Sequence, residues 1–234
     1  MAAAEARPDG MFRALILSIE QLGDRPILAV LLKSLLLTLA VLATLGVGLW
    51  FAVRALAAAW LDASGSQLAA TIAVIGSLAL GWVLFRAVAI AVIGLFGDTI
   101  VVAVEAKHYP EMLATARDVP FGQSLRMGLG SAGRSLLVNL VLIPAYLVLL
   151  VTGIGTPILF FAANGWLLGR DLMDMVAARH LAGDEMKSWR NSTSLSRFAL
   201  GLIVTGLLSV PGINLVAPVL GAAMATHLFH GRKT

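Results

Sequence analysis

The sequence predicts an all-α integral membrane protein with two long transmembrane helices and two membrane-penetrating helical hairpins tipped by proline and glycine. Three observations predict it. First, 59% of the 234 residues are apolar and only 13% are charged, with a mean hydropathy of +0.91. A soluble domain carries roughly 45–50% apolar and about 25% charged residues, so this chain cannot cover its own surface with polar side chains. Second, long apolar runs alternate with polar stretches along the whole length. Third, proline and glycine divide the two later runs near their middles. Together these describe one membrane domain over residues 1–234.

The first long helix is expected over 27–60. Its apolar run Ile27–Val53 would extend ~40 Å at about 1.5 Å per residue, beyond a hydrocarbon core of about 30 Å. Pro26 stands at the start, where a missing N–H is tolerated. Lys33 and Arg54 flank the run and can snorkel to the interface. Met1–Gly10 is polar, with Arg7 and Asp9, and lacks the pattern of a secretory signal. The first run is therefore expected to stay as an uncleaved span.

The second long helix is expected over 67–109. Its apolar run Leu68–Gly97 contains Arg86, and Pro110 disfavours a helical Tyr109, which sets the end. The polar stretch Asp98–Arg134 is too polar to cross lipid, and Gly122–Gly130 reads as an amphipathic interfacial helix. The first hairpin is expected over 135–182, broken by Pro144 and by Gly153–Pro157. The second is expected over 195–230, broken by Ser209–Gly212 and Pro218. The arms 157–169 and 198–210 would each be ~20 Å long, short of the roughly 20 residues of a full span. Leu149–Gly153 and Leu202–Gly206 form an internal echo that suggests a repeat, as transporters often carry. Asn139, Asn164 and Asn214 are expected to bond across helices, and Gly165 and Gly169 to permit close helix approach.

Charge placement gives an orientation. Lysine and arginine precede the first span, fill both long polar stretches and close the chain. The linker 62–67 and both hairpin tips have none. The positive-inside rule then puts both termini and both polar stretches in the cytoplasm. The net charge of +4 is spread between apolar segments, which argues against nucleic acid as a partner. Cysteine is absent, removing disulfides, thiol nucleophiles and thiolate metal sites. No nucleophile elbow, phosphate loop or dinucleotide fingerprint occurs. No enzyme activity and no cofactor is expected.

Two sets of residues are candidates for function. Gly23, Asp24 and Arg25 precede the first long helix, whose N-terminus is a ready anion site that Arg25 strengthens. The alternative is that Arg25 anchors the helix among lipid headgroups while Asp24 caps it. The second set is Arg86, Asp98, Glu105, Arg170 and Asp171, with Asp174. Ionisable groups beside apolar runs line pathways or pair with one another, and Arg170 with Asp174 are spaced to pair on one helix face. The alternative is a salt-bridge network that holds the helices together at the cytoplasmic edge. His227 with His230, and Glu105 with His108, have metal-ligand spacing. No third ligand of suitable spacing accompanies His227 and His230, and no metal site is expected at either pair.

Several motifs carry a family resemblance. They are Leu22-Gly23-Asp24-Arg25 before a long span, Phe96-Gly97-Asp98 with Val104–Pro110, Asn164–Arg170, and Pro211–Pro218 with Met224 and His227. From about Phe12 to His230 the chain resembles the CysZ-like sulfate permeases and their relatives, the etoposide-induced protein family. The later motifs look most like alphaproteobacterial members. The resemblance implies two long transmembrane helices, two penetrating hairpins, a bacterial inner-membrane location and assembly into homo-oligomers. It also implies a Gly-Leu-Arg-Arg sulfate-binding motif at the first long helix. Gly23 and Arg25 match it, whereas Asp24 replaces the leucine and Pro26 the second arginine.

The expected function is that of a permease-like protein for sulfate or a related small inorganic anion, with lipid and the anion as partners. In that role Gly23, Asp24 and Arg25 collect the anion. Arg86 and Arg170 offset charge along the path, while Asp98, Glu105 and Asp171 tune or couple it. The alternative is a non-transporting membrane scaffold that contacts lipid or a protein partner.

Overall fold

The computed structural model describes residues 8–64, 71, 75, 76, 81 and 97–231. All regular structure among them is helical. The chain divides into two units, one of residues 29–96 and one of residues 1–28 with 97–234. Arg86 and most of the second long helix expected over 67–109 lie outside the described residues.

The 29–96 unit carries most of α2 (Arg25–Ser64), 40 residues long, or ~60 Å of helix. Large apolar side chains stand out from it, among them Leu32, Leu36, Leu39, Val47, Trp50 and Phe51.

The other unit contains α1 (Pro8–Glu20), a described helical segment α3 (97–108), α4 (Pro110–Thr115), α5 (Phe121–Leu150), α6 (Gly155–Ala177), α7 (Gly183–Ser192), α8 (Ser194–Leu208) and α9 (Ala217–His230). α3 stops at His108 because Tyr109 turns out of the helix (φ −139°, ψ 51°) ahead of Pro110, which opens α4. That is the break expected where a residue precedes proline. α6 opens behind Thr152, whose hydroxyl accepts the Gly155 N–H at 2.8 Å. Gly153 (φ 73°) and Gly212 (φ 85°) turn the chain between α5 and α6 and between α8 and α9, in a conformation that glycine adopts freely.

α9 is the centre of this unit. Thirteen of its residues are buried, with α1, α6 and α8 packed around it. The core joins Ala14 of α1, Val101 of α3, Met173, Val176 and Ala177 of α6, Leu200 and Val204 of α8, and Met224, Ala225, Leu228 and Phe229 of α9. A helix apolar on all sides is one that neighbours enclose. α6 and α8 make the most extensive helix contact, and glycine makes it possible. A Cβ at Gly169 would lie 1.7 Å from the Arg197 carbonyl oxygen, and one at Gly201 would lie 1.8 Å from that of Gly165. The two backbones touch there, as Gly165 and Gly169 led one to expect.

α5 contrasts with α9. Among the described residues its segment Gly122–Leu150 is the one helix long and apolar enough to cross a membrane. Leu136, Leu140, Val141, Leu147 and Val148 are all exposed. Leu39–Phe51 and Ser194–Leu208 are shorter apolar helical stretches.

Three local expectations change. Gly122–Gly130 is not a separate interfacial helix, because α5 runs from Phe121 through Gly133 and Pro144 without a break. Each helix glycine costs about 1 kcal/mol, which the long apolar stretch that follows offsets. The echo of Gly153 with Gly206 is not structural, since Gly153 is a turn residue while Gly206 lies inside α8 and Gly212 makes the later turn. Asn139 and Asn164 do not reach across helices. Each donates to a carbonyl one turn back on its own helix, Ser135 and Phe160 respectively.

Candidate functional site

The corner before α2 is built by a single 3-10 turn, Gln21–Gly23, followed by an extended Asp24 (φ −70°, ψ 136°). The Leu28 N–H donates to the Asp24 carbonyl at 2.9 Å. The Asp24 side chain turns to α3, where Lys107 Nζ donates to its Oδ2 at 2.6 Å. Lys107 meets the charge of Asp24, so the three groups Asp24, Arg25 and Lys107 leave one surplus positive charge. Arg25 and Gly23 are exposed. A Cβ built on Gly23 would meet nothing within 4 Å. Packing does not demand a glycine there, and the approach to the first turn of α2 is open.

Arg170, Asp171 and Asp174 lie on one turn of α6 and gather a network of ion pairs. Asp174 is buried and holds three arginines: Arg170 one turn earlier at 3.6 Å, Arg190 of α7 at 3.0 Å and Arg197 of α8 at 3.2 Å. Trp166 stacks beneath Arg170 and Trp189 beneath Arg197, each 5.9 Å from the guanidinium carbon. Asp171 pairs with Arg134 of α5 at 2.7 Å and accepts a short hydrogen bond from the Ser131 hydroxyl. Four arginines and two aspartates thus tie α5, α6, α7 and α8 together with cationic charge in excess.

The third place is a buried polar cluster. All four histidines of the chain come to it, from α3 (His108), the turn after α6 (His180) and α9 (His227 and His230). Glu105 of α3 is wholly buried. Its Oε1 accepts hydrogen bonds from His180 Nε2 at 2.7 Å and His230 Nε2 at 3.0 Å, and Arg179 Nε stands 3.7 Å from Oε2. Burial opposes ionisation of Glu105, but the two histidine hydrogen bonds and the charges of His180 and Arg179 outweigh it and hold the carboxyl at about 2. Tyr109 and His230 rings lie 4.7 Å apart, and those of His108 and His227 5.0 Å apart. His227 Nδ1 lies 3.1 Å from the Tyr109 hydroxyl and its Nε2 lies 3.4 Å from Gln21 Oε1. One neutral tautomer satisfies both contacts, with Nε2–H donating to Gln21 and Nδ1 accepting from Tyr109. Arg179 also lines an open cleft with Asp98, Thr99, Val102, Asp118 and Val119. Burial pushes the Asp98 carboxyl up, and Arg179 partly offsets this.

The candidates from the sequence therefore sit at three places. Gly23, Asp24 and Arg25 form the corner with Lys107. Arg170 and Asp171 belong to the ion-pair network. Glu105 sits in the histidine cluster, linked through Arg179 to the cleft that Asp98 lines. Sequence reasoning passed over His180, whose partners Glu105 and His230 are 75 and 50 positions away, and Lys107 as the partner of Asp24. No local pattern in the sequence marked His180.

No curated protein matches the chain. The family model described as "Sulfate transporter CysZ/Etoposide-induced protein 2.4" matches residues 14–218, which takes in the corner, the ion-pair network and all of the histidine cluster except His227 and His230. On that match, covering most of its length, the chain belongs to the CysZ/etoposide-induced protein family of membrane proteins.

Proposed function

We propose that this protein is a permease-like protein of the bacterial inner membrane that passes sulfate or a related small inorganic anion. The observation that carries this reading is family membership over residues 14–218. The corner before α2 supports it. A dianion there meets the positive end of a 40-residue helix, whose first-turn amides and dipole favour negative charge. Arg25 adds an exposed guanidinium, and Lys107 removes the penalty of Asp24 by pairing with it at 2.6 Å. In this reading Gly23, Asp24 and Arg25 collect the anion. Arg86, Asp98, Glu105, Arg170 and Asp171 are the charges that tune its passage. Two long helices and two hairpins cross or enter the bilayer, with both termini in the cytoplasm, and the exposed apolar face of α5 meets lipid or a second copy of the chain.

The test is uptake of labelled sulfate into liposomes that contain the purified protein. A charge-assisted hydrogen bond contributes about 1.5–3 kcal/mol, so Arg25→Ala should lower uptake at limiting sulfate at least ~10-fold. Uptake no greater than in protein-free liposomes for sulfate and for other oxyanions would sink the permease reading. Lipid binding without flux would then favour the scaffold reading, to which the outward apolar side chains of α5 also point.

A further inference from the structure

The histidines gathered around Glu105 hold chemistry that anion passage does not use. Glu105 has 0% exposure and His230 has 1%. Glu105 keeps a buried oxygen, Oε2, that no hydrogen bond fills. A buried acceptor left unfilled costs about 1–3 kcal/mol, so a native cluster that keeps such an atom calls for a reason. The reason here lies in what faces Glu105. Two imidazole Nε2 atoms from different parts of the chain converge on one carboxylate, and the three ligand atoms lie within 4.8 Å of one another. The rings are held in place. His180 stacks on Phe229 with centroids 5.2 Å apart and meets His230 edge-on at 4.9 Å.

We propose that Glu105, His180 and His230 bind one divalent transition-metal ion with the ligand preference of zinc. Two imidazoles and a carboxylate are a donor set that zinc accepts, leaving the fourth tetrahedral position to an outside ligand. Magnesium and calcium prefer oxygen ligands throughout, so imidazole selects against them. Bonds of about 2.0–2.2 Å in a tetrahedron set ligand atoms ~3.4 Å apart. The present separations of 2.7 and 3.0 Å open by about 0.4–0.7 Å, and the two imidazole nitrogens, no more than 4.8 Å apart, adjust to the same distance. The ion replaces the two N–H donors that now face Oε1: a neutral ring keeps its one proton on Nδ1, and a protonated ring releases its Nε2 proton to solvent. The cleft beside the cluster supplies a route. Arg179 borders both, and the carboxylates of Asp98, Asp118 and Glu105 outnumber it there, so a cation is drawn toward the site.

The experiment uses the full-length chain without a histidine tag, purified in detergent, stripped with a chelator and then titrated with zinc against a chromophoric competitor. One zinc per chain bound at micromolar or lower free metal is the expected result. Cobalt(II) in its place should give the intense visible absorption of a tetrahedral site. Loss of an outer-shell partner alone costs roughly 10–100-fold in metal affinity. Glu105→Gln, His180→Gln and His230→Gln should each therefore weaken zinc binding at least ~100-fold. His108→Gln, a neighbour outside the ligand set, should bind as the wild type does. If the buried substitutions prevent folding, the wild-type titration and cobalt spectrum still decide. The proposal is overturned by no stoichiometric binding in the wild type, by an octahedral cobalt spectrum, or by folded ligand variants that keep wild-type affinity. None of these results depends on whether the protein moves anions.

Discussion

Gly201→Ala is expected to drive α6 and α8 apart, although it adds one methyl group. The new Cβ would lie 1.8 Å from the Gly165 carbonyl oxygen and 2.6 Å from the Gly169 nitrogen. Both are backbone atoms, so no side chain can swing aside and a whole helix must move. Overpacking a tight contact costs about 1–3 kcal/mol, and a clash with backbone belongs at the upper end. At roughly 2–4 °C per kcal/mol for a chain of this size, the melting temperature in detergent should fall by about 6–12 °C. Gly206→Ala, one and a half turns on in the same helix, is the matched control. A Cβ there meets nothing within 4 Å, and alanine is the better helix former by about 1 kcal/mol. It should leave the melt unchanged or raise it slightly. Equal melting of the two variants would refute the close approach of α6 and α8.

Asp174→Asn should be comparably damaging for an electrostatic reason. Asp174 is the shared counter-charge of Arg170, Arg190 and Arg197 at 3.6, 3.0 and 3.2 Å. Arg197 is buried with it. Removing one partner of a buried ion pair strands the other charge, at about 3–5 kcal/mol. Here three guanidiniums on three helices lose their common partner, which predicts a fall of ~6–20 °C. The contrasting variant is Asp184→Asn. Asp184 pairs with Lys187 at 2.9 Å, but their side chains are 93% and 75% exposed. Exposed pairs contribute little because water screens them, so its melt should match the wild type. A wild-type melt for Asp174→Asn would show that the network does not hold these helices together.

Part of this architecture was legible in the sequence because it follows from neighbours along the chain. The end of α3 at His108 follows from Pro110, and the Arg170–Asp174 pair follows from the helical period. Gly165 and Gly169 announced a close approach, although nothing local identified Gly201 as the surface that would meet them. The polar sites were less legible, because their partners come from distant segments. His180 sits in a turn with no pattern of its own, and only the convergence of α3, α6 and α9 brings it to Glu105 and His230. Lys107 looked like one cation among several in the polar stretch, and only the approach of α3 to the corner makes it the partner of Asp24. The continuity of α5 was misjudged for a different reason. A cluster of glycines lowers helix propensity, yet the long apolar stretch that follows outweighs that local cost.

Pro144 gives α5 a property that its smooth course hides. Proline has no N–H to donate, so the Leu140 carbonyl one turn earlier loses its helical partner. Leu140 is 60% exposed, so it lies on a face of α5 that the rest of the chain leaves uncovered. In hydrocarbon an unsatisfied polar group costs several kcal/mol. Leu140 is therefore the point at which a water or a hydroxyl from another helix would be held if α5 lies in a bilayer. It is also the point about which the last turns of the helix bend with the fewest bonds to break.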